Sequence, residues 1–339
     1  MPARMRSLID TIRADAWWEH KLSPMLGTGY MTAFFLGAPV LDVWPALLLT
    51  LAAGTAAAAY VSVINDLTDI DDDHVAGKRN RLAGRSRLRR AAAVAAWLAV
   101  GAAAAVAWGH DPLALGLYAG TWLAFSLYSI PPVRLKSRGV LGAVADGAGA
   151  HLFPQLLVVV VVFHRRGVPL DAAWIGTVAA WAIAHGLRGA LWHQLGDAAA
   201  DERAGVRTFG RVHPRRAQWL SRLAFAVELS AFVVLLWRSG NALALALVPV
   251  YVALETLRSQ LWGVTLVIAG RAARFRIAMH DYYIVFYPLS FLVAASVRHP
   301  LDAIVLAVQV ALFPRSLATV LGDTRRALRS ASRALVVER

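Results

Sequence analysis

Nine stretches of this chain are too long and too apolar to be left in water: residues 22–41, 44–64, 91–108, 113–129, 142–163, 172–191, 219–237, 242–257 and 282–297. A bilayer's hydrocarbon core, about 30 Å thick, takes roughly 20 helical residues to cross. Inside it the backbone must satisfy its own hydrogen bonds, which a helix does within one segment. The expected fold is an all-α integral membrane bundle of nine spans. A tenth stretch, 301–313, has thirteen residues. It reads as a re-entrant segment, an interfacial helix or a short tenth span. Residues 261–270 are apolar but too short to cross. Composition agrees: 58% of the residues are apolar, 17% are charged, and the mean hydropathy is +0.53. That is more apolar surface than an aqueous core hides, which excludes a string of soluble domains and a disordered chain.

Charge gives an orientation. Lys and Arg number 35 against 21 Asp and Glu, a net +14. In a soluble protein this balance would point to nucleic acid. Here the basic residues fall between apolar runs, as the positive-inside rule requires, so no nucleic-acid partner is expected. The segments before Leu22 and after Ile64, Ser129, Leu191 and Leu257 hold most of them. The alternate loops are nearly bare, with two cations at 164–171 and none at 109–111. The N-terminus and long loops are therefore placed in the cytoplasm, in a cell (inner) membrane protein without a cleavable signal. The tail after Phe313 carries six Arg, which favours a cytoplasmic C-terminus. The chain divides into a cytoplasmic segment 1–21, a membrane domain 22–297, and a short apolar stretch with an Arg-rich tail, 298–339. There are no cysteines, hence no disulfides, thiol nucleophile or cysteine metal site.

Two cytoplasmic loops repeat each other. Shifted by 128 residues, 65–80 and 193–208 share Leu67/Leu195, Asp69/Asp197, Asp73/Asp201, Ala76/Ala204, Gly77/Gly205 and Arg79/Arg207. Each follows an even-numbered run, four runs apart, which reads as an internal repeat of about four helices. If the helix continues past Ile64, Asn65, Asp69 and Asp73 stand one turn apart on one face. Asp197 and Asp201 repeat that spacing. Clustered carboxylates repel unless a cation neutralises them. An oxygen-only donor set suits Mg²⁺, which prefers a few carboxylates plus substrate phosphates. The alternatives are a solvated acidic helix end and a calcium loop. The calcium pattern fails, with His74 at its Gly position and Asn80 at its final Glu position. A third feature is the loop Tyr128-Ser129-Ile130-Pro131-Pro132-Val133-Arg134-Leu135-Lys136-Ser137-Arg138. Its three alternating cations suit phosphate oxygens or simply anchor the loop in the cytoplasm.

Together Asn65-Asp66-x-x-Asp69-x-x-x-Asp73, the Tyr-Ser-x-Pro-Pro-x-Arg-Leu-Lys loop and Asp197-x-x-x-Asp201-x-x-x-Gly205 resemble the UbiA prenyltransferase superfamily over roughly residues 20–300. The resemblance implies a nine-span helical bundle and Mg²⁺-dependent use of an isoprenyl diphosphate within the membrane. It implies that Asn65, Asp69, Asp73, Asp197 and Asp201 hold Mg²⁺ and diphosphate. Tyr128, Arg134 and Lys136 would help bind the diphosphate. The expected reaction moves the isoprenyl group to an aromatic or other lipophilic acceptor, with membrane lipids around the site. The alternatives are a membrane terpene cyclase acting on the same diphosphate, or a lipid transporter without catalysis. His193-Gln194 stands where relatives often carry Tyr, Asn or Asp, and the ending after Asp73 also departs from the family's usual form.

Polar residues inside the runs complete the reading. Arg188 is assigned to the diphosphate or acceptor, or else to a structural bridge with Asp146 or another acid. His151 and Gln155 are read as cavity-lining or as helix–helix hydrogen bonds. Glu228 and Glu255 are read as partners of Arg222 and Arg258. His193 lies one turn before Asp197 on the same face. It is read as a group that assists proton loss from the acceptor.

Overall fold

The computed structural model describes residues 9–337 except 271, with side chains described as far as 330. All nine apolar runs fall on helices. In chain order these are α1 (Ser23–Phe35), α2 (Val40–Thr68), the short α3 (Ile70–Ala76), α4 (Arg87–Val106), α5 (Pro112–Ser129), α6 (Val140–Arg165), α7 (Ala172–Arg203), α8 (Pro214–Ser239), α9 (Ala242–Trp262) and α10 (Tyr282–Arg298). Two more come after them, α11 (Ala303–Leu312) and α12 (Pro314–Val337). By length and composition five helices suffice to cross a membrane: α2, α4, α6, α8 and α9. The chain is an integral membrane protein, but the nine expected crossings do not all appear as full-length helices. The run 22–41 shows why. Gly37 turns into the left-handed region (φ 65°) and Pro39 stands two residues on, so α1 ends after 13 residues.

The stretch 301–313 forms part of a bent pair. Residues Pro300–Leu312 and Pro314–Ser330 meet at 85° and would count as one further, broken span. The short run 261–270 is partly strand: Thr265–Val267 pairs in parallel with Phe275–Ile277.

α1 sits at the centre, with every residue from Ser23 to Phe34 buried. Around it pack the aromatic rings of Trp181, Phe232, Tyr283 and Tyr287; the Phe232 and Tyr283 ring centroids are 4.8 Å apart. By contrast, α4 buries only Gly101 and faces outward. The N-terminus of α2 has no cap of its own. The buried Asp302 carboxylate, just ahead of α11, accepts from Val40 N (3.0 Å) and Leu41 N (2.8 Å). It satisfies two donors that the first turn leaves open.

One crossing fixes how two of the longest helices lie. α6 and α7 touch backbone to backbone where Gly147 meets Gly186, and a Cβ on Gly186 would stand 2.6 Å from the Gly147 carbonyl oxygen. Small residues allow such close approach between membrane helices. Gly186→Ala should therefore destabilise the protein by about 1–3 kcal/mol through overpacking. Gly189→Ala, on the same helix with nothing near its Cβ position, should be neutral or slightly stabilising. Thermal unfolding in detergent reads both; equal effects would overturn the crossing's importance.

Candidate active site

α2 and α7 outrun the hydrocarbon. At about 1.5 Å per residue, their 29 and 32 residues exceed the roughly 20 needed to cross. The C-terminal ends carry the two acidic motifs. The expected unbroken helix is kinked: α2 stops at Thr68, α3 starts at Ile70, and Asp69 between them is not helical (φ −111°, ψ 14°). The ladder nevertheless crosses the kink. Asp69 N donates to Asn65 O (3.0 Å) and Asp73 N to Asp69 O (2.8 Å), so the three residues remain successive turns of one path. α7 runs straight through Asp197 and Asp201.

Both motifs end alike. Gly77 and Gly205 have φ of 69° and 70°. Lys78 N then donates to Asp73 O (2.8 Å) and Val206 N to Asp201 O (2.9 Å). Glycine takes this left-handed turn without steric cost, which accounts for the matched glycines of the two loops.

Between the two ends lies a cavity of about 510 Å³. Asn65, Tyr128 and His193 line it, together with six carboxylates (Asp69, Asp72, Asp73, Asp146, Asp197, Asp201) and five cations (Arg13, Lys78, Arg79, Arg81, Lys136). The structure thus gathers the two acidic motifs and Lys136 around one space. Lys136 is paired with Asp69, and Lys78 reaches Asp197 at 3.1 Å. Arg134 stands behind the acids, 3.1 Å from Asp69 and 2.5 Å from Asp72. Its backbone is left-handed (φ 38°), a strained conformation for a residue with a Cβ. Burial pushes the Asp201 carboxyl above the ordinary range, against the stabilising hydroxyl of Thr208 at 2.9 Å. Arg138 turns away, donating to the carbonyls of Pro132 (2.9 Å) and Val133 (2.5 Å).

A second cavity, of about 210 Å³, opens deeper in the bundle. Its walls are largely apolar, among them Trp17, Leu22, Met25, Phe125 and Leu157, with Lys21, Gln155 and the hydroxyls of Thr50, Ser62 and Thr121 among the polar exceptions. Asp146 and His193 line both cavities. They form the neck between an acidic chamber and a greasy one.

Arg188 requires a correction. It lines neither cavity. Its guanidinium is buried against Glu228, with Nε at 2.6 Å and Nη2 at 2.8 Å from the carboxylate oxygens. The helical phase explains this: nine residues are two and a half turns, about half a revolution from Asp197. Glu228 consequently pairs with Arg188 rather than Arg222, whereas Glu255 does pair with Arg258. Several cavity residues escape a reading of the sequence: Arg13, Asp72, Lys78 and, as a neck residue, Asp146. A lone acid inside an apolar run is the available signal for Asp146.

The donor set fits magnesium held together with phosphate. Among the described residues no three Asp, Glu or His side chains converge closely enough to hold a metal ion by themselves. Mg²⁺ needs no such cage, since it keeps waters and binds through one or two carboxylates plus substrate phosphates. A bare anion would meet six carboxylates, and a bare cation five positive side chains. Only a metal–anion pair answers both.

Comparison with known proteins agrees with this arrangement. The UbiA prenyltransferase family matches residues 25–279, most of the chain. This chain belongs to the UbiA prenyltransferase family. Its fold is similar to that of a UbiA homolog from Archaeoglobus fulgidus bound to GPP and Mg²⁺, with a TM-score of 0.53 at 16% identity, covering 91% of this chain and 99% of that one. The same homolog bound to DMAPP and Mg²⁺ gives 0.52 at 15%, again over 91% and 99%. Bound to Cd²⁺ it gives 0.52 at 16%, over 85% and 98%. No curated protein matches the chain significantly.

The two kinds of charged residue predict opposite stability effects in this UbiA-family chain. Glu228→Gln leaves the Arg188 guanidinium buried without its counter-charge and should cost about 3–5 kcal/mol. Asp197→Asn relieves like-charge repulsion in an open chamber and should change stability by no more than about 0.5 kcal/mol. Detergent melting curves separate the two; a large loss in Asp197→Asn would make that aspartate structural.

Proposed function

We propose that this chain is a Mg²⁺-dependent intramembrane prenyltransferase, moving an isoprenyl group from an isoprenyl diphosphate to an aromatic or other lipophilic acceptor. The observation that carries the reading is the pair of joined cavities. A charged diphosphate fits the chamber lined by both acidic motifs, and a hydrocarbon tail fits the apolar one. The allylic carbon between head and tail then lies at the neck, beside Asp146 and His193. The Archaeoglobus homolog's ligands, a prenyl diphosphate with Mg²⁺, support the assignment.

In this reading Asn65, Asp69, Asp73, Asp197 and Asp201 hold the metal. When bound, Mg²⁺ neutralises the charge that gathers on the departing diphosphate. Lys136 and Lys78 exchange their aspartates for phosphate oxygens, Arg134 braces Asp69 from behind, and Tyr128 closes the wall near the head. The apolar chamber keeps water from the allylic cation that ionisation leaves. The acceptor attacks that cation and gives up a proton at the neck, where His193 is in reach.

A cyclase would run its cation along the tail cavity. Lys21, a basic side chain in that wall, disfavours such a path and favours transfer. A transporter should leave the diphosphate intact. Supplying membranes with labelled farnesyl and geranylgeranyl diphosphate, with and without acceptors, tests all three. Mg²⁺-dependent diphosphate release should be abolished in Asp69→Ala, in Asp197→Ala and by excess EDTA. Full activity in either variant would break the shared site.

We also propose that all nine runs cross, that the two motif ends belong to a four-helix repeat, and that the acidic chamber faces the cytoplasm of a cell (inner) membrane. The basic loops support that side. A reporter fused after Ser137 or Arg211 should read cytoplasmic, and one at Asp111 outside. The reverse pattern at either site would overturn the orientation.

A further inference from the structure

The neck holds an acid to which the prenyl-transfer reading has so far given no part. Asp146 sits on α6, beside the Gly147–Gly186 contact that draws α6 and α7 together. It is half-buried, and its exposed part faces the two cavities. Lys21, from the segment just ahead of α1, lines the apolar cavity with it.

Lys21 is itself held. Its ammonium Nζ donates to His151 Nε2 at 2.7 Å. An ammonium group only donates, so that ring nitrogen accepts and His151 is neutral. The His151 ring stands edge-on to His185, with centroids 4.5 Å apart. His185 Nδ1 lies 3.2 Å from Glu228, the partner of Arg188. A polar chain thus runs from the bundle core to the ammonium of Lys21, in the wall of the apolar cavity. An isoprenoid tail has no hydrogen-bonding group and cannot require this.

We propose that Asp146 is the catalytic base that takes the acceptor's proton, and that Lys21, in the wall of the same cavity, is the positioning residue whose charge orients the carboxylate at the neck. This rests on the prenyl-transfer reading. The bond between the allylic carbon and the diphosphate oxygen breaks, its electron pair leaving with the diphosphate. The acceptor's nucleophilic atom bonds to that carbon, and the proton it carried passes to an Asp146 carboxylate oxygen. From there it returns to water or diphosphate through the acidic chamber, which Asp146 also lines. Nothing is oxidised or reduced. His193 shares the neck, but it lies one turn before Asp197 with its ring against Trp192, centroids 4.8 Å apart. Asp146→Asn and His193→Gln therefore tell the two neck residues apart.

The test uses the full-length chain in membranes with labelled geranyl diphosphate and a panel of phenols and long-chain alcohols, the productive acceptor being carried forward. Prenylated product, free diphosphate and prenyl alcohol are measured together. Removing a general base typically lowers a rate by about 10²–10⁴-fold. Asp146→Asn should lower product formation by at least about that lower figure, while diphosphate release stays within tenfold of the unmodified chain's. The missing prenyl groups should appear as prenyl alcohol. Lys21→Met should shift the same ratio, and Lys21→Arg should restore it, which a purely packing role would not do. Melting curves in detergent confirm that each variant is folded. If product and diphosphate fall together in Asp146→Asn, or if only His193→Gln shifts the ratio, the assignment of Asp146 is wrong. If the unmodified chain releases no diphosphate with Mg²⁺, the prenyl-transfer reading itself falls, and this inference with it.

Discussion

Six carboxylates cannot face one cavity unless positive charge stands among them. Two like charges 4 Å apart cost about 4 kcal/mol at an effective dielectric near 20. The chain answers this from separate parts of its length. Lys136 comes from the loop after α5, Lys78 from the turn after α3, and Arg13 from the N-terminal segment, where it pairs with the buried Asp66. These pairs tie the ends of α2 and α7 to elements that no covalent neighbour holds in place. The Lys78–Asp197 pair is open on both sides, and an exposed ion pair is worth little in itself. It can be traded for a ligand carrying both signs at small cost.

The rest of the bundle serves a different need, a dry space beside that charged one. In the proposed reaction the two demands conflict, because water that hydrates the acids would have to be kept from the apolar cavity. The conflict is resolved at the α6–α7 crossing. Glycines at 147 and 186 bring the backbones together, and the neighbouring Asp146 narrows the passage with His193 from α7. Elsewhere, polar groups are no longer open to exchange. Arg188 with Glu228, and Arg258 with Glu255, Asp281 and Asp323, are buried and paired. Such buried pairs cost much to break, which suits structure and not turnover.

Much of this is legible in the sequence, because lipid imposes a strict code. Every apolar run forms a helix, and the spacing of Asp197 to Asp201 carries over directly because α7 is unbroken. Where sequence and structure part, the cause is a step that periodicity cannot see. Gly37 and Pro39 split an apolar run that composition treats as one. Asp69 kinks its helix, though the hydrogen-bond ladder survives. Arg188 points to the diphosphate by its closeness in sequence to Asp197, yet its phase puts it on the other face. Asp146 stands out as an intramembrane acid, but its place at the neck depends on a helix crossing between residues 147 and 186, a tertiary fact. The N-terminal contribution is hidden for a related reason: Arg13, Trp17 and Lys21 lie ahead of the first span, in a stretch whose pattern is only that of a cytoplasmic lead-in.

That lead-in changes how the two cavities relate to the membrane. Arg13 lines the acidic chamber, while Trp17 and Lys21 line the apolar one. Within nine residues the same segment therefore passes from the charged chamber to the apolar one, and it forms part of the wall of both. Its own anchors are spread along it: Asp10 to Arg79 at 2.6 Å, Trp18 Nε1 to Leu312 O at 2.8 Å, and Glu19 to the first backbone amides of α12, Arg315 N at 2.9 Å and Ser316 N at 2.7 Å. The last contact satisfies open donors at a helix N-terminus, where a carboxylate is also favoured by the helix dipole. The two chambers thus share a wall as well as a neck. A substrate with a charged head and a hydrocarbon tail would touch that wall along its whole length, so in the proposed reaction residues beyond the 25–279 stretch that matches the UbiA family would share one binding surface with the aspartate motifs.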